Sequence, residues 1–430
     1  MTKKPTVNVI GAGLAGSEAT WQLVSAGYPV HLYEMRPNTM TPAHQSKNFA
    51  ELVCSNSLRS NSTTNAVGLL KEEMRVLNSL VISKADKHQV PAGSALAVDR
   101  EAFSLDITAT LKDHPLVTIM NQEVTTLLDG PTIIATGPLT SERFSHEILQ
   151  FVGEDSLYFY DAVAPIIEKD SINFDKAFFK SRYDKGEASY INCGMNEEEF
   201  NAFYQALLEA EEVTEKPFEK LKFFEGCLPV EAMAKRGKKT LLFGPLKPVG
   251  LNHNEQRFKA VVQLRQDDAA ANLYNMVGFQ THLKFSDQKR IIQMIPGLEN
   301  ANIVRYGVMH RNTYINTPNT LNSYYQSIKR ENLFFAGQLI GVEGYVESAA
   351  SGLLAAQNMI RYLENRPMIQ AHKQSMITAM AYYVTHADPK HFVVMNANFG
   401  LVDRTGFEKA PDKNEIFANR SLNRIREWYE

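Results

Sequence analysis

Near its amino terminus the chain runs Val7-Asn8-Val9-Ile10 and then Gly11-Ala12-Gly13-Leu14-Ala15-Gly16, and the next apolar run, Val30-His31-Leu32-Tyr33, closes on Glu34. A strand, a G-x-G-x-x-G turn, a helix and a second strand ending on an acid form the unit that holds a dinucleotide. Each residue type has its own task. Gly11 makes the tight turn off the strand, Gly13 lets the backbone approach a pyrophosphate, and Gly16 lets the helix lie close to the sheet. Ala12, Leu14 and Ala15 complete the turn, whose N–H groups and positive helix end hold the phosphates. A glycine-rich turn that only packs would leave the position of Glu34 without a reason.

The elements that must position this turn can be read further along. The first helix ends at Gly27. A polar, Pro- and Ser-rich stretch from Asn38 to Asn65 follows, long for a connection and therefore a candidate functional loop. Helical periodicity returns over Leu69–Leu77, a second helix starts at Asp99-Arg100, and strands are expected at Val117–Ile119 and Thr132–Gly137. From about Tyr158 to Gln326 the chain is richer in Phe, Tyr and Lys. A buried strand then returns at Leu333–Ala336, followed by Gly337-Gln338 and an Ala-rich helix over Ser348–Ala356. The pattern predicts an α/β chain: a Rossmann-type domain interrupted by a mixed α+β insertion. The expected divisions are 1–155, 156–327 and 328–430.

Two of these segments favour FAD over NAD. Thr132–Gly137 is a strand ending in a small-residue turn, and Gly137 is expected at the cofactor. Gly337 and Gln338 precede a helix whose positive end would face the ribityl chain or the flavin pyrimidine. No second G-x-G-x-x-G follows a later strand, so a nicotinamide donor would dock transiently against the flavin face.

With 430 residues, 44% hydrophobic and 22% charged, the chain has the composition of an ordinary globular protein of more than one domain. A net charge of −3 gives no global attraction to nucleic acid, so any RNA contact must use local basic patches. Cys54, Cys193 and Cys227 lie in no C-x-x-C pair, which argues against zinc, iron–sulfur or a disulfide framework. Met1-Thr2-Lys3-Lys4-Pro5 leads straight into the first strand, and no apolar run approaches the ~20 residues that span a bilayer. The expectation is a cytoplasmic protein that binds neither metal nor membrane.

Several longer strings are more specific than the dinucleotide turn. Gly11–Gly16 with Ser17-Glu18-Ala19, Glu34-Met35-Arg36-Pro37, Cys54-Ser55-Asn56-Ser57-Leu58-Arg59 and Phe224-Glu225-Gly226-Cys227-Leu228-Pro229-Val230-Glu231 resemble the folate- and FAD-dependent tRNA uracil-5-methyltransferase family. Arg236-Gly237, Thr240–Leu251, Arg305–Tyr314 and Gly337–Gly352 continue the resemblance over most of the chain. It implies a glutathione-reductase-like FAD domain and methylation of the T-loop uridine at tRNA position 54 to ribothymidine. The carbon comes from 5,10-methylenetetrahydrofolate; reduced FAD carries the methylene and supplies the hydride, and NADH or NADPH restores the flavin. A sister family that modifies the tRNA wobble uridine is the alternative, with a small-molecule FAD oxidoreductase as another. Sister-family members carry a longer C-terminal helical extension.

The resemblance also assigns roles. Uracil C5 is a poor nucleophile until a thiolate adds at C6, so one cysteine attacks the base and a second group moves a proton. Cys227, in the insertion, is taken as the nucleophile, and Cys54 as general base or guard on the flavin side; the reverse assignment stays open. Arg59 is a candidate to lower the Cys54 pKa, and Glu231 either relays a proton or pairs with a neighbouring Arg. Cys193 reads as an inert core thiol. The basic run Lys235, Arg236, Lys238 and Lys239, just past Cys227, is the expected contact for the tRNA T-arm. Arg257, Lys259, Arg265, Arg305, His310, Arg311, Arg420, Arg424 and Arg426 are further charges, and Tyr306 and Tyr314 read first as core aromatics.

Overall fold

The computed structural model describes residues 4–153, 157–184, 187–213 and 228–428. Strands β1 (Val7–Ile10), β2 (Val30–Tyr33), β3 (Val117–Met120), β4 (Thr132–Ile134) and β5 (Leu333–Phe335) form one sheet in the order β5-β4-β1-β2-β3. Every pairing is parallel, with Val7 opposite Val30 and Ile134 opposite both Ile10 and Phe335. Strands buried on both faces need continuous rather than alternating apolar runs, and Leu333-Phe334-Phe335, at the edge of the sheet yet fully buried, is such a run. Helix α1 (Leu14–Ser25) connects β1 to β2 and is buried along most of its length.

A second sheet is drawn from residues between Ile166 and Arg305. Its six strands, Ala177–Phe179, Tyr190–Met195, Ala260–Gln266, Leu273–Met276, Ile166–Glu168 and Ile303–Arg305, are antiparallel in that order. It has its own core, in which Phe200, Phe203, Val262, Leu264 and Ile292 are buried. Two short helices, α2 (Val230–Arg236) and α3 (Lys238–Phe243), pack on this core through Val230, Ala234 and Leu241. A two-stranded antiparallel ribbon, Leu157–Ala162 with Met309–Tyr314, lies where the chain enters and leaves this part.

After β5 the chain makes one tight turn over Gln338–Ile340 and enters α4 (Tyr345–Leu363). This helix is longer than its Ala-rich stretch: its first turn reaches the cleft through Tyr345 and Ser348 and the core through Val346. The segment expected as loop between Asn38 and Asn65 contains a strand, Ser57–Ser60, paired with Ala95–Val98. Its pairing slips between Ser57 and Ser60 where Arg59 takes φ +63°. The strand therefore has no alternating pattern to betray it.

Candidate active site

The carboxyl ends of the parallel strands open into a cleft with two lobes. Gly11, Gly13 and Glu34 line the smaller; Gly13, Leu14, Ala15, Gly137, Gly337, Gln338 and Cys54 line the larger; with their open mouths included they offer about 570 and 1700 Å³. A cleft at the strand ends, facing a helix amino terminus, is where such sheets bind ligands.

The glycines separate by physical role. Gly11 has φ +98°, and a Cβ there would lie 2.6 Å from the Ala135 carbonyl oxygen. At Gly16 a Cβ would fall 1.7 Å from the Gly11 carbonyl oxygen. Both are required by the chain itself. A Cβ on Gly13 or Gly137 would meet nothing within 4 Å. These two glycines keep room for a ligand, and Gly13 is also where α1 begins. The room above Gly13, at the helix amino terminus, fits a dinucleotide pyrophosphate.

Glu34, at the end of β2, lines the smaller lobe. It is buried, and its carboxylate accepts the Ala12 N–H at 3.0 Å, the Arg36 N–H at 3.0 Å, Arg36 Nε at 2.9 Å and Arg36 Nη2 at 3.2 Å. Burial pushes its carboxyl pKa up, but Arg36 outweighs it and holds the group below the ordinary value. Glu34 therefore locks the glycine turn onto β2, with the buried Arg36 also 3.3 Å from Glu51.

Cys54 is half-buried in the larger lobe, and its thiol donates to the Ala162 carbonyl at 3.7 Å. Its backbone N–H and that of Ser55 both donate to the Tyr345 hydroxyl, at 2.7 and 3.1 Å. Arg100 donates to the Leu52 carbonyl and Arg305 Nη2 to the Val53 carbonyl at 2.7 Å, and both guanidinium charges interact with Cys54. The cations expected near this thiol thus come from Arg100 and Arg305. Arg59, expected in that role, pairs instead with buried Glu347. Arg265 likewise turns inward, donating to Asn56 Oδ1 at 3.1 Å and Ser55 Oγ at 2.9 Å. Arg265 is buried and Arg305 half-buried, and both build the wall behind Cys54. Cys193 is fully buried on its strand, and burial drives its thiol pKa far above the usual range.

Cys227 lies outside the described residues. The described chain on either side of it meets at His282. Glu231 is buried and accepts Thr281 Oγ1 at 2.9 Å and the His282 N–H at 2.8 Å, so its partners are these rather than an Arg. His282 Nδ1 stands 2.6 Å from Glu231 Oε1 and Nε2 stands 3.2 Å from Glu212 Oε2. Two residues before His282, Gln280 lines the larger lobe and its carbonyl accepts the Val230 N–H at 2.8 Å.

Burial lowers the His282 pKa, but hydrogen bonding and charge from Glu212 and Glu231 outweigh it and raise it from 6.5 to about 9. A folded-state pKa above the unfolded one stabilises fully below the unfolded value, and the stabilisation is lost as pH rises through the folded value. Between about pH 6.5 and pH 10 the wild type is expected to lose up to about 3 kcal/mol more stability than His282→Gln. Denaturant titration of both proteins at the two pH values checks this; equal losses would assign the pH dependence elsewhere.

Lys235, Arg236, Lys238 and Lys239 all sit exposed on α2 and α3. Lys235 pairs with Glu212, and Lys238 contacts Asn201 Oδ1 at 2.5 Å and lies over the Tyr204 ring at 5.2 Å. Phe243, one turn on from Lys239, is 78% exposed, so the ledge carries an aromatic ring beside its lysines. Tyr306 stacks on Phe285 and Tyr314 packs edge-on against Phe392, both as packing residues. Among the described residues no cluster of His, Cys, Asp and Glu could hold a metal, and no helix is long and apolar enough to cross a membrane.

Comparison with known proteins agrees with the geometry. The family described as Glucose inhibited division protein A matches residues 6–367. A methylenetetrahydrofolate–tRNA-(uracil-5-)-methyltransferase TrmFO of Enterococcus faecalis is 61% identical over 428 residues, covering 98% of both chains. The Bacillus subtilis protein of the same name is 60% identical over 425 residues, again covering 98% of each. Among solved structures, GidA of Aquifex aeolicus superposes with a TM-score of 0.71 at 15% identity, over 100% of this chain and 74% of that one, and so shares the fold. With identity at this level over nearly its whole length, the chain belongs to the methylenetetrahydrofolate–tRNA-(uracil-5-)-methyltransferase family, within the wider Glucose inhibited division protein A family.

Proposed function

We propose that this protein methylates C5 of the T-loop uridine at position 54 of tRNA, taking the carbon from 5,10-methylenetetrahydrofolate, with FAD as its cofactor and NADH or NADPH as reductant. The observation that carries the reading is the sharing of one cleft wall by the ligand-accommodating glycines Gly13 and Gly137 and the thiol of Cys54. When bound, the flavin supplies a carrier for the one-carbon unit and the hydride that completes the methyl group.

The chain supplies the rest. Gly13, Leu14 and Ala15 at the start of α1 hold the pyrophosphate, with Gly11, Ala12, Gly16 and Glu34 fixing the turn. Gly137, Gly337 and Gln338 border the flavin. The Cys227 thiolate adds to uracil C6 and makes C5 nucleophilic; once C5 has taken up the carbon, Cys54 as thiolate accepts the C5 proton while the C6–S bond breaks and the Cys227 thiolate leaves. The extruded base reaches this cleft from the ledge of Lys235, Arg236, Lys238 and Lys239, whose ammonium and guanidinium groups position tRNA phosphates without reading sequence. We assign residues 1–155 and 328–430 to the FAD domain and 156–327 to the insertion, and place the protein in the cytoplasm, where three thiols stay reduced.

The test uses purified protein, FAD, methylenetetrahydrofolate, NADPH and an unmodified tRNA transcript, with ribothymidine measured by nucleoside mass spectrometry. Formation of ribothymidine is expected only with all components present. Protein that takes up no flavin, or methylation sustained by S-adenosylmethionine alone, would sink the reading.

A further inference from the structure

Asn312 lies on the strand Met309–Tyr314, lines the larger lobe of the cleft with Cys54, and is 1% exposed. Neither its Oδ1 nor its Nδ2 has a hydrogen-bond partner among the described residues. Buried side-chain amides are almost always paired, and one left with both ends open demands an explanation. Neighbouring polar groups of the lobe are engaged: Gln338 Nε2 donates to Glu343 Oε2 at 2.6 Å, and the N–H groups of Cys54 and Ser55 are held by Tyr345. Asn312 differs from all of them.

An amide offers an acceptor and a donor side by side on one rigid plane. A phosphate or carboxylate would satisfy only the donor, and would leave Oδ1 unpaired. The complement of both is an N–H beside a carbonyl in one ring. Adenine also carries a donor beside an acceptor, but the dinucleotide turn places adenosine on the Glu34 side, in the smaller lobe.

We propose that Asn312 reads a cyclic imide edge, the N–H and adjacent carbonyl that uracil and the pyrimidine ring of a flavin share. Its Oδ1 accepts from the imide N–H and its Nδ2 donates to the carbonyl. The inference rests on the reading of the cleft as a flavin and base site. Because this side chain makes no hydrogen bond within the described protein, the fold gains nothing from it; its value lies in the ligand.

The experiment compares wild type, Asn312→Ala and Asn312→Asp as apoprotein and as FAD-loaded holoenzyme. Thermal unfolding of apoprotein is expected to be unchanged or shifted upward in Asn312→Ala, since a buried unpaired amide has been removed. FAD affinity is read from flavin fluorescence, and affinity for a T-arm hairpin from filter binding to the holoenzyme. A loss of roughly 10- to 100-fold in one of them is expected. If FAD binding weakens, the imide is the flavin's; if only hairpin binding and KM for RNA change, and uridine loses its advantage over cytidine at the target position, the imide is uracil's. Both affinities within twofold of wild type, in both variants, overturn the proposal. Wild-type protein that takes up no FAD overturns the reading of the cleft itself, a different failure from normal wild-type binding left untouched by the variants.

Discussion

Replacing Cys54 by alanine is expected to leave flavin content at the wild-type level and lower ribothymidine formation by roughly 10²- to 10⁴-fold, the range over which a positioned proton-transfer group acts. The prediction follows from what has been assembled around this thiol. Its chain is tied at Leu52 and Val53 by two guanidinium groups, at Cys54 and Ser55 by the Tyr345 hydroxyl, and at Asn56 by the Gln266 carbonyl at 2.9 Å. These anchors come from the parallel sheet's side, from the second sheet and from the first turn of α4. Such convergence holds a side chain's position in the cleft, with the Arg100 guanidinium itself fixed by Asp267 at 2.8 Å. Cys193→Ala is the control: that side chain is sealed in the core of the second sheet, and its loss is expected to leave turnover intact. A covalent complex trapped with 5-fluorouridine RNA identifies the attacking thiol. An adduct mapped to the Cys227 peptide supports the assignment made here, and one on the Cys54 peptide exchanges the two roles. Full methylation by Cys54→Ala would remove this residue from the chemistry altogether.

How much of this was legible before the fold was known depends on the range of the interactions involved. The dinucleotide unit was legible because glycine spacing, an apolar run and a helix signal act within a few residues of one another, and β1, α1 and β2 fall where those signals predict. Gly137 and Gly337 were readable for the same reason: each follows a short buried strand and takes positive φ. The surroundings of Cys54 were not. Sequence proximity pointed to Arg59, but a slipped strand with a left-handed residue turns that side chain toward Glu347, while Arg100 and Arg305 arrive from distant elements. The meeting of Glu212, His282 and Glu231 likewise exists only once the 277–284 segment is laid against α2. Asn312 carried no local signal at all, since an unpaired amide is a property of what surrounds it.

Gly13→Ala and Gly16→Ala are expected to fail in opposite ways, although they lie in one turn. Gly13 has φ −70° and ψ −169°, which any residue adopts, and a methyl group there meets only open space. Apoprotein stability should therefore stay within about 0.5 kcal/mol of wild type. The methyl group would occupy the space of the pyrophosphate, and losing one or two charge-assisted N–H contacts should weaken FAD binding by ~100-fold. Gly16→Ala instead drives Cβ into the Gly11 carbonyl oxygen, a backbone atom that moves only if α1 or the turn moves with it. Overpacking of this kind costs about 1–3 kcal/mol or more. Its effect spreads because α1 is wedged from behind as well: a Cβ on Gly352 of α4 would lie 2.1 Å from the Ala15 carbonyl oxygen, so α1 has no slack toward α4. Denaturant unfolding of the apoproteins together with FAD titration separates the two outcomes. Gly13→Ala that unfolds early would mean the turn packs against protein there rather than ligand, and Gly16→Ala with wild-type stability would mean that the close contact between α1 and the sheet is not what holds the cleft open.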